Sequence, residues 1–201
     1  MRHIKMITIT LNKIRKHSPC TDGWKKLLKS KEGVDYNKSF PLTDVIDNND
    51  LEDTLWCLRC LPEHDSLWRK YAVWCARQVE HLLVDQRSKE ALNVAWRHSN
   101  GDVSDEELDA ARDAAWVAVE AAVGDAAEDA AWAAARVATG AAAGVAAWAA
   151  TGVAAWAAAR AATGAATGAS TGASAWVATW GETKAKQEDK LREILKTGKW
   201  V

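Results

Sequence analysis

The chain has 201 residues and a formal net charge of −1, which suits one compact core or a core with an extension. Near-neutrality argues against a protein whose overall field attracts nucleic acid, and the spacing of the four cysteines argues against a secreted disulfide scaffold. Twelve tryptophans stand against one phenylalanine and two tyrosines, so indoles must supply most of the large apolar area.

The first 62 residues predict a series of short helices. Thr8 or Thr10 can open a helix that runs to residue 16, and a second helix is expected over residues 22–28. Residues 33–40 are predicted to form a loop. Asp50 is a suitable N-cap for a helix with a stripe of leucine and tryptophan, which a proline then ends.

Residues 66–84 carry the clearest helical pattern, with apolar side chains on one face. Ser88 is expected to cap the next helix, which Gly101 ends, and Ser104 begins a predicted capping box. These signals predict an all-α class, with a compact multi-helix domain over residues 1–112.

A four-residue pattern runs from Asp113 to Trp180, with small residues at its second and third positions and Trp, Arg, Glu or Gly at its fourth. Alanine favours a helix, but a period of four drifts about 40° per repeat around an ideal helix. The pattern therefore excludes one straight helix with a single apolar stripe. Either successive repeats face different neighbours, or residues 113–181 form several shorter helices, with breaks at Thr-Gly pairs.

Five glycines of this repeat are predicted to mediate close packing of helices, because their small-xxx-small spacing lets helix axes approach. They are Gly140, Gly144, Gly164, Gly168 and Gly172. We expect a helical hairpin or bundle that self-association completes, so that the protein is a homo-oligomer. A membrane span is the less favoured alternative, since Ala, Gly and Thr supply little apolar area per residue.

The last segment, residues 182–201, predicts a charged amphipathic helix whose inward face carries Leu191, Ile194 and Leu195. Trp200 is expected to dock onto the body of the protein or onto a neighbouring subunit. The first ten residues are too polar for the apolar region of a signal peptide, and we therefore expect a cytoplasmic location.

Several short motifs resemble a family of Ala/Trp-rich proteins. They are Ser-Pro-Cys-Thr-Asp-Gly-Trp24, Leu-Trp-Cys-Leu-Arg59, Trp-Cys-Ala-Arg-Gln78, Ala-Leu-Asn-Val-Ala95 and Asn-Gly101. The family occurs in phage and bacterial genomes, where its members are often labelled hypothetical or immunity proteins. The resemblance implies a phage or mobile-element origin and a role in host–phage conflict, although Thr-Gly pairs here replace the Arg, Asp or Ala expected in the tail.

One helical face of the segment 66–84 is the best candidate for ligand binding. An indole at i+4 lies among cations at i, i+7 and i+11. The indole could stack on a base, and the cations could pair with a phosphate. The candidate residues are Lys70, Trp74, Arg77 and His81, which Arg59, Arg97, His64, Arg87 and His98 could join. We expect a nucleotide-like anionic ligand or a host defence protein. The alternative is a partly buried face whose arginines pair with Glu80, Asp85 or the acidic residues 105–109.

Catalytic and metal sites have little support in the sequence. Cys57 and Cys60 form a CxxC near His64, but no second pair supplies the four ligands of a zinc site, so buried thiols are favoured. The common hydrolase, metalloprotease and phosphate-loop motifs are absent, and we expect a non-enzymatic protein without cofactor or metal. The competing hypothesis is a structural or membrane-active helical oligomer built on the Gly/Ala repeat.

Overall fold

The structure is a computed structural model that describes residues 6–122, 125–138, 143–164 and 169–200. These residues form ten α-helices and one two-stranded antiparallel sheet, which confirms the predicted all-α class. In chain order the elements are β1 (Thr8–Ile9), α1 (Leu11–Arg15), α2 (Thr21–Ser30), β2 (Phe40–Pro41), α3 (Thr43–Asn48), α4 (Leu51–Cys57), α5 (Asp65–Arg77), α6 (Gln86–Asn100), α7 (Asp105–Glu120), α8 (Asp125–Val137), α9 (Ala143–Gly164) and α10 (Ala169–Thr197).

Several helix termini lie where local sequence predicts them. The side chains of Thr10 and Asp50 accept hydrogen bonds from backbone N–H groups of α1 and α4. Ser104 and Glu107 form the predicted capping box at the start of α7. Gly101 ends α6 with a φ of 80°, a left-handed conformation that glycine adopts without steric cost.

The region between α5 and α6 differs from the prediction. Helix α5 ends at Arg77 instead of residue 84, and a 3₁₀ turn over Glu80–Leu82 follows. Ser88 does not cap α6 but lies buried inside it. The N-cap is Asp85, because its extended backbone and short carboxylate place an acceptor 2.8 Å from the N–H of Arg87.

Helix α9 occupies the middle of the protein and packs against α4, α5, α8 and α10. Its alanines Ala147, Ala154 and Ala157 are fully buried, and small side chains allow these neighbours to approach closely. Gly144 shows the closest approach, since a Cβ there would lie 2.7 Å from the backbone N of Arg59. The centre of the repeat is thus enclosed by other helices of the same chain.

The repeat is divided among α7, α8, α9 and α10. The pairs Thr151-Gly152 and Thr171-Gly172 lie inside helices, whereas Gly164 is the last residue of α9. Gly140 and Gly168 lie outside the described residues. Over the described ranges no helix carries an apolar stretch long enough to cross a membrane.

Hydrogen bonds connect the three segments that the sequence distinguishes. The Tyr71 hydroxyl donates to the backbone carbonyl of Gln187 at 3.0 Å, and the Gln187 side-chain amide donates to the carbonyl of Thr151 at 3.1 Å. The guanidinium of Arg69 donates to the carbonyl of Val137 at 3.0 Å. One apolar cluster also includes residues from every segment, among them the inward-facing Leu191, Ile194 and Leu195 of α10.

Cys57 and Cys60 are buried, as the sequence predicts, Cys75 is buried as well, and Cys20 is exposed. Burial raises the pKa of the Cys60 thiol to about 11 and that of Cys75 to about 12, and it raises the pKa of Cys57 well above its ordinary value. Because the thiolate is the reactive form, these three thiols should be both inaccessible and protonated at neutral pH.

We therefore expect one thiol per chain to react quickly with an aromatic disulfide reagent in the native protein, and four after unfolding in denaturant. The released chromophore, measured by absorbance, gives the count. Cys20→Ser is the matched control and should remove the fast phase alone. A second thiol that reacts at the rate of Cys20 would contradict the burial of Cys57, Cys60 and Cys75.

Candidate functional site

The face predicted on α5 is organised around an indole from the next helix. The Lys70 ammonium and the Arg77 guanidinium lie 5.7 Å and 5.6 Å from the ring centroid of Trp96 in α6. Trp200 packs edge-on against Trp96, with ring centroids 5.4 Å apart. Packing of α5 against α6 thus brings two predicted cations together on an indole that the prediction did not include.

The cations of this face already contact other groups of the protein. Arg77 donates to the side-chain oxygen of Asn93 at 3.0 Å, and its Nε lies 3.8 Å from a carboxylate oxygen of Glu80. Trp74 is half-buried and stacks against Tyr71 with centroids 6.3 Å apart. These contacts agree with the alternative interpretation, in which the arginines pair within the protein.

The other predicted binding residues lie elsewhere. Arg59 stacks over Trp56 with its guanidinium 4.8 Å from the ring centroid, and its Nε donates to the carbonyl of Trp56. His81 is exposed in the 3₁₀ turn after α5, and Arg97 is exposed near the end of α6. We name the surface formed by Lys70, Arg77, Trp96 and Trp200 the Trp96 face. The predicted set therefore divides between the Trp96 face and other surfaces.

A cavity of about 490 Å³ lies between α4, α8, α9 and α10, and we name it the indole cavity. Its volume falls in the range of about 300–1,000 Å³ that is usual for small-molecule sites. Aromatic and charged side chains line it together with small residues of α9. The aromatic and charged residues are Trp156, Trp180, Arg136, Lys184, Glu52 and Asp129.

The small residues of the repeat leave room for this cavity. Ala149, Gly152 and Val153 form its wall on α9. Apart from its chain neighbours and the backbone of its own helix, no heavy atom of the described chain lies within 4 Å of the place where a Cβ on Gly152 would be. The same helix thus packs tightly at Gly144 and leaves space at Gly152.

Tryptophan side chains form a corner at one side of the cavity. Trp156 lies nearly perpendicular to both Trp176 and Trp180, with centroid distances of 4.8 Å and 6.0 Å. Trp176 and Trp180 are parallel within 7° because they are one helical turn apart. The Trp156 side chain is 42% exposed, so part of the corner is accessible.

Both carboxylates of the cavity lie beside cations. The Lys184 ammonium is 2.5 Å from a Glu52 oxygen, and it also lies 5.4 Å from the centroid of Trp180. The Nε of Arg160 is 3.0 Å from an Asp129 oxygen, and its guanidinium lies 5.5 Å from the centroid of Trp156. Each of the two ion pairs therefore has its cation against an indole, Lys184 against Trp180 and Arg160 against Trp156.

A local spacing in the sequence indicates this site, although the predicted binding residues do not include it. In three repeats a cation follows a tryptophan by four residues, and helical neighbours at this spacing face each other. The structure places each cation over the preceding indole, at 5.1 to 5.5 Å from the ring centroid. The pairs are Trp132–Arg136, Trp156–Arg160 and Trp180–Lys184.

The part of the chain that the structure describes holds no group of three or more His, Cys, Asp or Glu side chains placed to bind a metal ion. Comparison of the chain with models of protein families, with curated proteins and with solved structures finds no match. The family resemblance of the sequence thus stays a prediction. What the indole cavity binds has to be inferred from its own side chains.

Proposed function

We propose that the protein is a non-enzymatic binding protein that holds a nucleotide-like anionic small molecule in the indole cavity. The observation that carries the proposal is the presence of accessible indoles, Trp156 and Trp180, beside the cations Arg136 and Lys184 in one concave site. This combination suits a ligand with a planar ring at one end and a negative charge at the other.

Each part of such a ligand has a physical counterpart in the cavity. Stacking of a base on an aromatic side chain contributes about 1–3 kcal/mol. An arginine fork can donate two parallel hydrogen bonds to phosphate oxygens, and Arg136 lines the cavity on α8. Trp156 lines the same cavity on α9, so one ligand can contact both helices.

The residues of the cavity favour binding over catalysis. Its described lining contains no histidine, cysteine, serine or threonine that could act as a nucleophile or as an imidazole base. The two carboxylates, Glu52 and Asp129, are each close to a cation of the protein. We therefore propose that the ligand leaves the site unchanged, as a sequestered molecule would.

The proposed biological role is based on the sequence. The family resemblance suggests a phage or mobile-element protein that acts in host–phage conflict, and sequestering a nucleotide-like molecule in the cytoplasm would be one such action. Self-association belongs to the same proposal. Native mass spectrometry of the protein purified from cells measures the oligomer mass and any retained small molecule in one experiment.

A host defence protein is the second candidate partner. Val177 is 70% exposed on α10, next in sequence to Trp176 of the indole corner, and Trp156 is itself partly exposed. Exposed tryptophan with neighbouring arginine is typical of the energetic centre of protein interfaces. The structural or membrane-active oligomer has less support, because α9 is surrounded by helices of its own chain.

Binding at the indole cavity and binding at the Trp96 face predict opposite results for substitutions of Arg136 and Arg77. Loss of a charge-assisted hydrogen bond to phosphate weakens binding by about 10- to 100-fold. We expect Arg136→Ala to have this effect on the quenching of tryptophan fluorescence by adenine nucleotides. Arg77→Ala should bind like the unmodified protein, and circular dichroism should show that both variants are folded.

The reverse result would place the site at the Trp96 face that the sequence suggests. If both variants bind normally, neither cation takes part, and the proposal for the indole cavity fails. A protein that is free of bound small molecules after gentle purification, and that binds no nucleotide, would favour the defence-protein alternative.

A further inference from the structure

We infer that a second cavity of the protein binds a small neutral molecule with an aliphatic body and one hydrogen-bonding oxygen, such as an alcohol or a ketone. The cavity lies where the segment between α5 and α6 and the start of α6 meet the end of α7 and the start of α8. We name it the Ser88 cavity. It shares no lining residue with the indole cavity, so a molecule bound there is separate from the proposed nucleotide-like ligand.

The Ser88 cavity has the size of a small-molecule site and an apolar lining. Its volume is about 390 Å³, within the range of about 300–1,000 Å³ that is usual for such sites. Leu83, Ala118 and Ala131 form the buried part of the lining. Val84 is 87% exposed, so the cavity also reaches the surface. A molecule that enters from solvent can therefore bury aliphatic surface against these side chains.

One buried hydroxyl of this lining has no partner among the described residues. Ser88 is fully buried, and its Oγ forms no hydrogen bond with them. Burial of a hydroxyl without a partner is unfavourable, and most buried polar groups in proteins are paired. Ser99 of the same helix shows the usual arrangement, because its Oγ donates to the carbonyl of Trp96 at 2.6 Å. An oxygen of a molecule in the cavity would supply the partner that Ser88 lacks.

The charged and aromatic content of the lining favours a neutral aliphatic molecule. Asp85 is the one charged residue of the described lining, and its carboxylate accepts hydrogen bonds from the backbone N–H and the guanidinium of Arg87, at 2.8 Å and 2.6 Å. An anion would meet this carboxylate and no cation of the described lining, and a cation would have to compete with Arg87. The described lining also contains no aromatic ring on which a base could stack, unlike the indole cavity.

Three cyclohexane compounds with the same ring and different charges test the class of ligand. At neutral pH cyclohexanol is uncharged, cyclohexanecarboxylate is an anion and cyclohexylammonium is a cation. We expect cyclohexanol to bind at least about tenfold more tightly than either ion, because neither charge finds a partner in the cavity. Titration of isotope-labelled protein, followed by nitrogen–proton NMR, measures the affinities. Shifts of the amide signals of Ser88, Ala118 and Ala131 report this cavity, and the signal of Gly152 reports the indole cavity separately.

Ser88→Ala tests the role of the hydroxyl. The substitution removes a buried polar group without a partner, so the variant should fold and, without ligand, should unfold at a higher urea concentration than the unmodified protein. Its affinity for cyclohexanol should fall about three- to tenfold, which corresponds to the loss of one neutral hydrogen bond. Ser99→Ala is the matched control, because Ser99 is buried in the same helix, is paired and does not line the cavity. This control should leave the affinity for cyclohexanol unchanged.

Three results would each overturn the inference. If either ion binds the Ser88 cavity as tightly as cyclohexanol does, the lining does not select a neutral molecule. If Ser88→Ala binds cyclohexanol with unchanged affinity, the hydroxyl is not the group that holds the ligand. If none of the three compounds shifts the amide signals of Ser88, Ala118 and Ala131, the cavity holds solvent alone. The proposed function stands or falls separately, because adenine nucleotides and Arg136→Ala test it at the indole cavity.

Discussion

Replacement of Gly144 by alanine is expected to lower the free energy of unfolding by about 1–3 kcal/mol, although alanine is the better helix former. The added Cβ would lie 2.7 Å from the backbone N of Arg59 and 2.8 Å from the backbone C of Leu58. Both atoms belong to the main chain, so a side-chain rotation cannot relieve the overlap. Helix α9 would have to move away from the turn that follows α4.

Gly152→Ala is the matched control for this prediction. Gly152 lies in the same helix, and apart from its chain neighbours and the backbone of that helix its added Cβ would have no heavy atom of the described chain within 4 Å. Alanine should therefore stabilise the protein there, by up to about 1 kcal/mol. Urea unfolding followed by far-ultraviolet circular dichroism measures both effects, and equal shifts for the two variants would contradict the close contact at Gly144.

The Gly144 experiment also bears on self-association. If this glycine packed between subunits, the loss of stability would depend on protein concentration, because dissociation would be part of unfolding. Its close neighbours are in the same chain, at Leu58 and Arg59. We therefore expect a loss of stability that is independent of concentration, and we expect the mass of the native assembly to stay unchanged.

A fragment that ends at residue 112 is expected to lack a cooperative unfolding transition. The buried face of α5 packs on α9, and hydrogen bonds join Tyr71 to Gln187 and Arg69 to Val137. The fragment lacks the second half of α7 and all of α8, α9 and α10. Their removal would expose this apolar face and take away the carbonyl of Val137 to which the buried guanidinium of Arg69 donates. Near-ultraviolet circular dichroism during heating gives the measurement.

Co-expression with residues 113–201 is the control for the fragment. If the two pieces need each other, together they should restore the near-ultraviolet signal and a single transition. A fragment that melts sharply by itself, at the temperature of the full chain, would instead confirm an independent domain over residues 1–112. The predicted boundary at 112 can thus be tested directly.

Part of the candidate site could be predicted from local spacing. A tryptophan and a cation four residues apart on a helix face each other whatever the rest of the fold, as Trp180 and Lys184 do. The pairing of Lys184 with Glu52 could not be predicted in this way, since it joins residues of α10 and α4. The predicted site on α5 depends on the spacing within a single helix, and this spacing does not show that Lys70 and Arg77 contact Trp96 of α6.

The sequence by itself determined the helical class, the caps at Asp50 and Ser104, the end of α6 at Gly101, and the burial of Cys57 and Cys60, whereas the structure chose Thr10 over Thr8 as the cap of α1. These features depend on residues within about four positions of each other, or on local apolar patterns. Only the tertiary structure decided which helices surround α9 and where an accessible cavity remains. It also placed backbone atoms of another element close to Gly144 and none close to Gly152. Small side chains permit close approach in any direction, so an alanine-rich repeat specifies that helices pack closely, and the larger side chains of the other helices select the partners.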